Sequence, residues 1–268
     1  MKRNEIKNIR TYGNPPYHIA LIHGGPGAAG EMASVAEELS ADYGVLEPLQ
    51  TEMSVDGQVR ELKTVLQHNA DLPVILIGFS WGAWLSLIFA AKYPEIVSKL
   101  ILVSCGSLEE KYAADLEIVR MSRLNVKERA EMSALLEIIN DPEADDQNET
   151  FARFGKLCTK ADAYDPVDYE NAIGGYRVDI FRSIWIEAEY LRRSGKLLDY
   201  ASRIQYPVTA IHGDYDSHAA AGVREPLAAV ISDFRWKLLE RCGHKPWIER
   251  QAKEEFYRVL RKELSELY

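Results

Sequence analysis

Gly78-Phe79-Ser80-Trp81-Gly82 matches G-x-S-x-G, lying between a β-rich apolar run and a helical one. A serine on a tight strand-to-helix turn takes a strained backbone, so the positions two residues either side must be tiny, as Gly78 and Gly82 are. Its hydroxyl then points out at the carboxyl end of a sheet, where the start of the following helix favours negative charge. The bland alternative is a buried serine in a glycine-rich turn. A serine nucleophile needs a base, and the base needs an acid to fix its tautomer. Of six histidines, His18 and His68 read as structural, and His23 and His212, each before a glycine at a strand end, read as loop braces. That leaves His218 and His244. In Cys242-Gly243-His244-Lys245-Pro246-Trp247 the flanking glycine and proline make a tight, presented loop, which suits a base reaching across to Ser80. For the acid, Ile211-His212-Gly213-Asp214-Tyr215-Asp216 ends a strand, and Asp216 stands far enough into the loop to turn back over the sheet edge. Asp214 is the alternative acid, and His218 the fallback base.

A second glycine-rich segment, His23-Gly24-Gly25-Pro26-Gly27, admits two mechanisms. Residues 25–30 also satisfy G-x-G-x-x-G, with Glu47 roughly where a ribose-binding acid of a dinucleotide site would stand. Pro26 argues against this, because it removes a backbone N–H from the loop that would cradle a pyrophosphate. In the other mechanism the backbone N–H groups of Gly25 and Trp81 receive the oxygen of a tetrahedral intermediate. The acid and base motifs favour that oxyanion loop.

These residues must be held by buried strands. Apolar runs at 18–22, 74–77, 100–103 and 208–211 are rich in Ile, Val and Leu, as in strands covered on both faces, with further strands expected at 43–46 and 235–239. Helical patterns lie between them at 31–39 and 54–67, the second with Val59, Leu62, Val65 and Leu66 on one stripe, and Pro94 ends the helix after Ser80. The alternation predicts an α/β fold with a mostly parallel, doubly wound sheet. Residues 72–91 carry no charge and are long enough to span a bilayer, but the Gly78–Gly82 break divides them into a buried strand and a buried helix. After Gly106 the strands stop and helical patterns take over, including 114–121 and 127–139, with an acidic loop at 141–149. The division expected is a core of residues 1–106 and 205–268 with a helical cap of 107–204 covering one end of the sheet.

The chain has 268 residues, 47% of them hydrophobic, which is ample for a folded core. With 32 Lys and Arg against 41 Asp and Glu the formal charge is −9, the wrong sign for a phosphate-backbone binder. Most of that excess lies in the inserted helices, where a solvated acidic surface is its ordinary meaning. No nucleic acid or membrane partner is expected. Cys105, Cys158 and Cys242 are odd in number and far apart, which fits a reducing, cytoplasmic setting, and residues 1–10 are too charged for a signal-peptide core. Cys105 reads as a structural thiol. No H-x-x-x-H or paired Cys/His spacing appears, so neither a metal nor a cofactor is expected.

The order Ser80, Asp216, His244 is that of nucleophile, acid and base in the α/β-hydrolase fold, and the chain resembles that family from end to end, including Ala91-Lys92-Tyr93-Pro94-Glu95 after the nucleophile helix. His23-Gly24-Gly25-Pro26-Gly27, together with a serine followed by Trp81 and Gly82, is most similar to the prolyl iminopeptidase group of serine peptidases. The resemblance implies release of N-terminal residues from small peptides through an acyl-enzyme. It also implies a cap carboxylate that holds the substrate's free amine. In that group this carboxylate stands in a segment of the type Ala-Arg-Ile-Glu-Asn-His-Tyr, and Glu187 matches it within Ile184-Trp185-Ile186-Glu187-Ala188-Glu189-Tyr190. Trp185 replaces the arginine and Ala188-Glu189 the Asn-His pair, while Gly78-Phe79 stands where those peptidases commonly have Gly-Gly. Trp185 and Tyr190 are candidates to line an apolar acyl pocket. The segment around His244 is as similar to ester and carbon–carbon bond hydrolases of the fold, which are the alternative activities. A nucleotide-binding protein and a non-catalytic binding protein are the readings from other classes.

Overall fold

Short Val/Ile/Leu runs bounded by turn residues can bury both faces only in the middle of a covered sheet, and the computed structural model, which describes residues 8–141, 143–144, 147–168 and 173–265, builds such a sheet. Its strands are β1 (Ile9–Tyr12), β2 (Tyr17–Ile22), β3 (Gly44–Pro48), β4 (Val74–Phe79), β5 (Val97–Val103), β6 (Val208–Gly213) and β7 (Phe234–Leu239). The spatial order is β1-β3-β2-β4-β5-β6-β7, with every pair parallel except β1 with β3. β1 is an addition to the expected strands. Its sequence, Ile-Arg-Thr-Tyr, is half polar and only partly buried at the sheet edge, so it carries no apolar run.

The connecting helices cover both faces. On one side α1 (Ala33–Leu39) and α10 (Lys253–Ser265) bury Val35, Leu39, Phe256 and Leu260 with Leu21, Ile77 and Ile101 of the strands. On the other side α2 (Val55–Asn69), α3 (Trp81–Lys92) and α9 (Ala221–Val230) pack with Leu76, Leu100 and Val208. Ser54 caps α2 by accepting the Gly57 N–H at 3.0 Å. The uncharged stretch 72–91 resolves into β4 and the twelve-residue α3, whose residues 81–90 are all buried. Among the described residues no helix is long and apolar enough to cross a membrane.

Between β5 and β6 run α4 (Leu116–Ser122), α5 (Val126–Asn140), α6 (Gln147–Asp162), α7 (Val178–Arg193) and α8 (Lys196–Ala201). Part of the acidic stretch 141–149 lies outside the described residues. Asn125 and Glu128 form a reciprocal capping box at the start of α5. Leu124, Met132, Leu157 and Ala161 make a small separate core, whereas Ile180, Ile184 and Ala188 of α7 and Leu197 and Ala201 of α8 join the large one.

A buried charge needs a partner and full hydrogen bonding. Lys99 on β5 has both: its Nζ lies 2.6 Å from Glu263 Oε2 of α10 and donates to the Glu263 carbonyl at 2.7 Å. Thr209 of β6 donates its hydroxyl to the same carboxylate at 2.8 Å.

Candidate active site

Parallel strands deliver their carboxyl ends, and the loops that follow, to one edge of the sheet. Ser80 sits there between β4 and α3 with φ 52 and ψ −114, a strained conformation for a residue with a side chain. The tight turn explains its glycines. A Cβ at Gly78 would run into the carbonyl of Gly82, and one at Gly82 into the carbonyls of Ile22 and His23. The Ser80 N–H is taken by the Val103 carbonyl at 3.0 Å, and the hydroxyl makes no cap bond to α3. Trp81 is the first residue of α3, so its N–H has no acceptor within the helix.

Asp216 and His244 approach the same edge from the loops after β6 and β7. The Nδ1 of His244 lies 2.7 Å from Asp216 Oδ2. Ser80, Phe79, His244 and Gly25 line one open cleft of about 770 Å³. The Phe79 ring packs on the imidazole of His244, with centroids 4.9 Å apart, and on Trp247 at 4.7 Å. Phe79, a departure from the resembled pattern, thus braces the base. Gly25 has φ +34, and its carbonyl closes the loop by accepting the Ala28 N–H at 2.9 Å.

Asp216 serves more than one ring. Its Oδ1 accepts the backbone N–H of His218 at 2.9 Å and lies 3.0 Å from His218 Nδ1. His212 Nε2 is 3.6 Å from Oδ2. Burial works to raise the Asp216 carboxyl, but His244, His212 and His218 around it hold it well below the usual carboxylate range. The rings of His218 and His244 stack at 4.6 Å. His218, weighed from sequence as a fallback base, therefore shares the acid with His244. Asp216, His218 and His244 are also the one group among the described residues whose ligand atoms, within 4.8 Å of one another, could share a metal ion. Both Nδ1 atoms lie against the Asp216 carboxylate, which joins the three groups into one hydrogen-bonded cluster.

Asp214 takes a bracing role, accepting the Cys242 N–H at 3.1 Å and so tying the two loops together. His23 is fully buried, with Nδ1 2.6 Å from the Gly24 carbonyl, and burial lowers its basicity. Cys105 is a buried thiol pushed up by desolvation, and burial likewise pushes Cys158 up to about 11.

Two sequence candidates lie elsewhere. Glu47 is fully buried on β3, where it accepts the Tyr12 hydroxyl at 2.8 Å and pairs with Arg10 of β1 at 3.6 Å. The glycine loop in turn is covered at Gly27, which accepts the Arg177 N–H at 2.9 Å and where a Cβ would strike the Arg177 carbonyl. A dinucleotide thus finds its ribose acid buried elsewhere and the middle of its phosphate loop closed. Glu187 accepts the Val55 N–H at 2.9 Å, at the first turn of α2, and is not brought into the cleft or the smaller pocket beside Ser80. It faces a helix N-terminus because that end offers unpaired donors and a positive dipole. Glu187→Gln is expected to lower stability by about 0.3–1 kcal/mol in thermal melts and to leave any preference for free amines intact. Trp185 does reach the site. It lines the smaller pocket with Ser80, Trp81, Trp84 and His218, stacking on Trp84 at 6.2 Å and on Phe181 at 5.9 Å.

Two arginines at α4 were not singled out from sequence. Arg120 makes a bidentate pair with Asp162, at 2.8 Å from Nε and 2.6 Å from Nη2, and the Asp162 carbonyl accepts the His244 N–H at 3.0 Å. Arg123 donates to the carbonyls of Ala161 at 3.1 Å and Tyr215 at 2.8 Å and to Ser217 Oγ at 2.9 Å, with its guanidinium 3.7 Å from the Tyr215 ring centroid. One helix therefore grips the loops on both sides of the Asp216–His244 pair. Glu249 adds a third hold, accepting the N–H groups of Gly243 at 2.9 Å and of Tyr164 and Asp165 at 2.8 Å. Arg123→Ala is expected to lower kcat about 10-fold, since charge-assisted hydrogen bonds contribute about 1.5–3 kcal/mol. KM should move little, and steady-state kinetics on one small substrate would check the split.

The chain belongs to the α/β-hydrolase fold family, whose model matches residues 17–251, and it is a hydrolase. Among curated proteins it is similar to the proline iminopeptidase of Lactobacillus acidophilus, with 26% identity over 92% of this chain and 89% of that protein. It is also similar to the human monoacylglycerol lipase ABHD6, with 26% identity over 75% of this chain and 59% of the lipase. Among solved structures VinJ superposes with a TM-score of 0.66 and 20% identity, covering 97% of this chain and 95% of VinJ, a likeness of fold.

Proposed function

We propose that the protein is a serine hydrolase that works through an acyl-enzyme and releases N-terminal residues from small peptides in the manner of a prolyl iminopeptidase. The observation that carries the mechanism is the 2.7 Å contact between His244 Nδ1 and buried Asp216, with His244 and strained Ser80 lining one cleft. Ser80 attacks the carbonyl while His244 takes its proton through Nε2. Asp216 holds the imidazole with Nδ1 protonated and stabilises the imidazolium. The N–H groups of Gly25 and Trp81 receive the oxyanion, and the helix start at Trp81 favours its charge. His244 then returns the proton to the leaving amine, and water repeats the sequence to free the acid.

The peptide reading is supported by proline iminopeptidases matching 92–94% of this chain at 26–27% identity. It is supported too by the pocket beside Ser80, whose indoles Trp81, Trp84 and Trp185 suit the methylenes of a pyrrolidine ring. Residues 107–204 act as a cap that walls both spaces. The free thiols Cys105, Cys158 and Cys242 suit a reducing cytoplasm. An esterase is the second reading, favoured by the engagement of Glu187 with Val55 outside the site. Prolyl- and alanyl-naphthylamides, naphthyl esters and a diketone assayed side by side test the assignment. Turnover of prolyl-naphthylamide is the expected result, whereas hydrolysis of the esters alone transfers the assignment to the esterases.

A further inference from the structure

We propose that His218 is a specificity-determining residue of this site, its Nε2 accepting an N–H of the substrate's free N-terminal amine. The inference rests on the N-terminal-releasing reading above and supplies the amine partner that Glu187 does not provide.

A carboxylate only accepts, so the His218 Nδ1 facing Asp216 Oδ1 at 3.0 Å carries the ring proton. Burial pushes the imidazole below its ordinary value, with Asp216 opposing, so near neutrality the ring is uncharged. A neutral imidazole protonated at Nδ1 has a lone pair at Nε2, its one remaining polar atom. His218 lines the smaller pocket together with Ser80. The indoles and Leu116 of that pocket offer no side-chain acceptor, the Ser107 hydroxyl is turned to the Tyr112 carbonyl at 3.3 Å, and the Gly106 carbonyl takes both the Trp84 Nε1–H at 3.0 Å and the Cys105 thiol at 3.3 Å. Arg192, also at the pocket, donates its Nε–H to Glu110 at 2.9 Å and is a donor in any case. Among the described residues no carboxylate side chain lines this pocket.

An α-amine is two bonds from the carbonyl that Ser80 attacks, so it must lie beside Ser80. A cationic amine there needs an acceptor with negative charge behind it. His218 provides the acceptor, and Asp216, bonded to the far edge of the ring, provides the charge. The stack on His244 and the two bonds to Asp216 fix the ring's direction, which is what selection by one hydrogen bond requires.

The test compares kcat/KM for alanyl-2-naphthylamide with that for its N-acetyl form, in the wild type and in His218→Phe. The ratio within each protein is the readout, because any shared loss from a disturbed Asp216 cancels. The wild type should favour the free amine by about 10- to 100-fold, as expected for one charge-assisted bond. In His218→Phe the ratio should fall to within about threefold of unity. In Arg123→Lys, both rates should drop with the ratio kept. A ratio that survives in His218→Phe overturns the role of His218 and leaves the hydrolase reading standing. A wild type that cleaves both forms equally overturns the N-terminal-releasing reading, and this proposal with it. Should the phenylalanine variant not fold, His218→Asn gives the same comparison.

Discussion

Ser80→Ala is expected to cut kcat by several orders of magnitude, up to ~10⁶-fold as when the nucleophile of a comparable triad is removed, with the fold intact. Both halves of that expectation follow from local geometry. The positive φ of 52 is borne by serine already, and alanine carries the same Cβ, so no new backbone strain arises. The hydroxyl caps nothing in α3, so its removal leaves no helix donor unpaired. What disappears is the hydroxyl proposed to bond covalently to the substrate. A fluorophosphonate probe should label the wild type at Ser80 and leave the variant unlabelled, with melting curves that superpose. Near-native turnover by the alanine variant, or a label mapped to another residue, would sink the mechanism.

Asp216→Asn is expected to lose roughly 10⁴-fold in kcat, and the hydrogen bonds say why. Oδ1 receives the backbone N–H of His218, a donor that cannot change, so the new amide must turn its oxygen that way. Its NH2 group then faces His244 Nδ1, where Oδ2 had been. The imidazole must offer a lone pair at Nδ1 and carry its proton on Nε2, and that tautomer cannot accept the proton of Ser80. Asp214→Asn should behave differently. Its Oδ1 accepts the Cys242 N–H, which an amide oxygen accepts as well, so the loss should be confined to stability and stay near 1 kcal/mol. Measured kcat values in the reverse order would transfer the acid's role to Asp214.

Residues whose positions are set by a local turn were legible in the sequence. Ser80 needs two glycines within two residues, Asp216 follows a strand whose apolar run stands out, and His244 sits in a loop marked by its flanking glycine and proline. β1 was not legible, because an edge strand half open to solvent has no reason to be uniformly apolar. Glu47 shows the converse: its spacing from the glycine loop suited a ribose, but β1 pairs over it and turns it toward Arg10 and Tyr12. Glu187 matched a motif by position along the chain, yet the face of α7 it occupies is decided by where the start of α2 stands, 132 residues away. The same holds for Arg123, which reaches Ser217 across 94 positions, and for His218, whose share of Asp216 is invisible until the ring of His244 is stacked on it. The expected acid and base thus emerge from motifs, whereas their supports and the pocket's selectivity emerge only from packing.

Lys99 and Glu263 are separated by 164 positions, so their pairing joins the middle of the chain to its last described helix. β5 lies in the middle of the sheet, so its lysine is committed to the interior as soon as β4 and β6 flank it. Without α10 in place that ammonium loses the Glu263 carboxylate and carbonyl, and a buried charge deprived of a partner is costly. The central strands and α10 are therefore coupled: loosening the last helix strands a charge in the middle of the sheet.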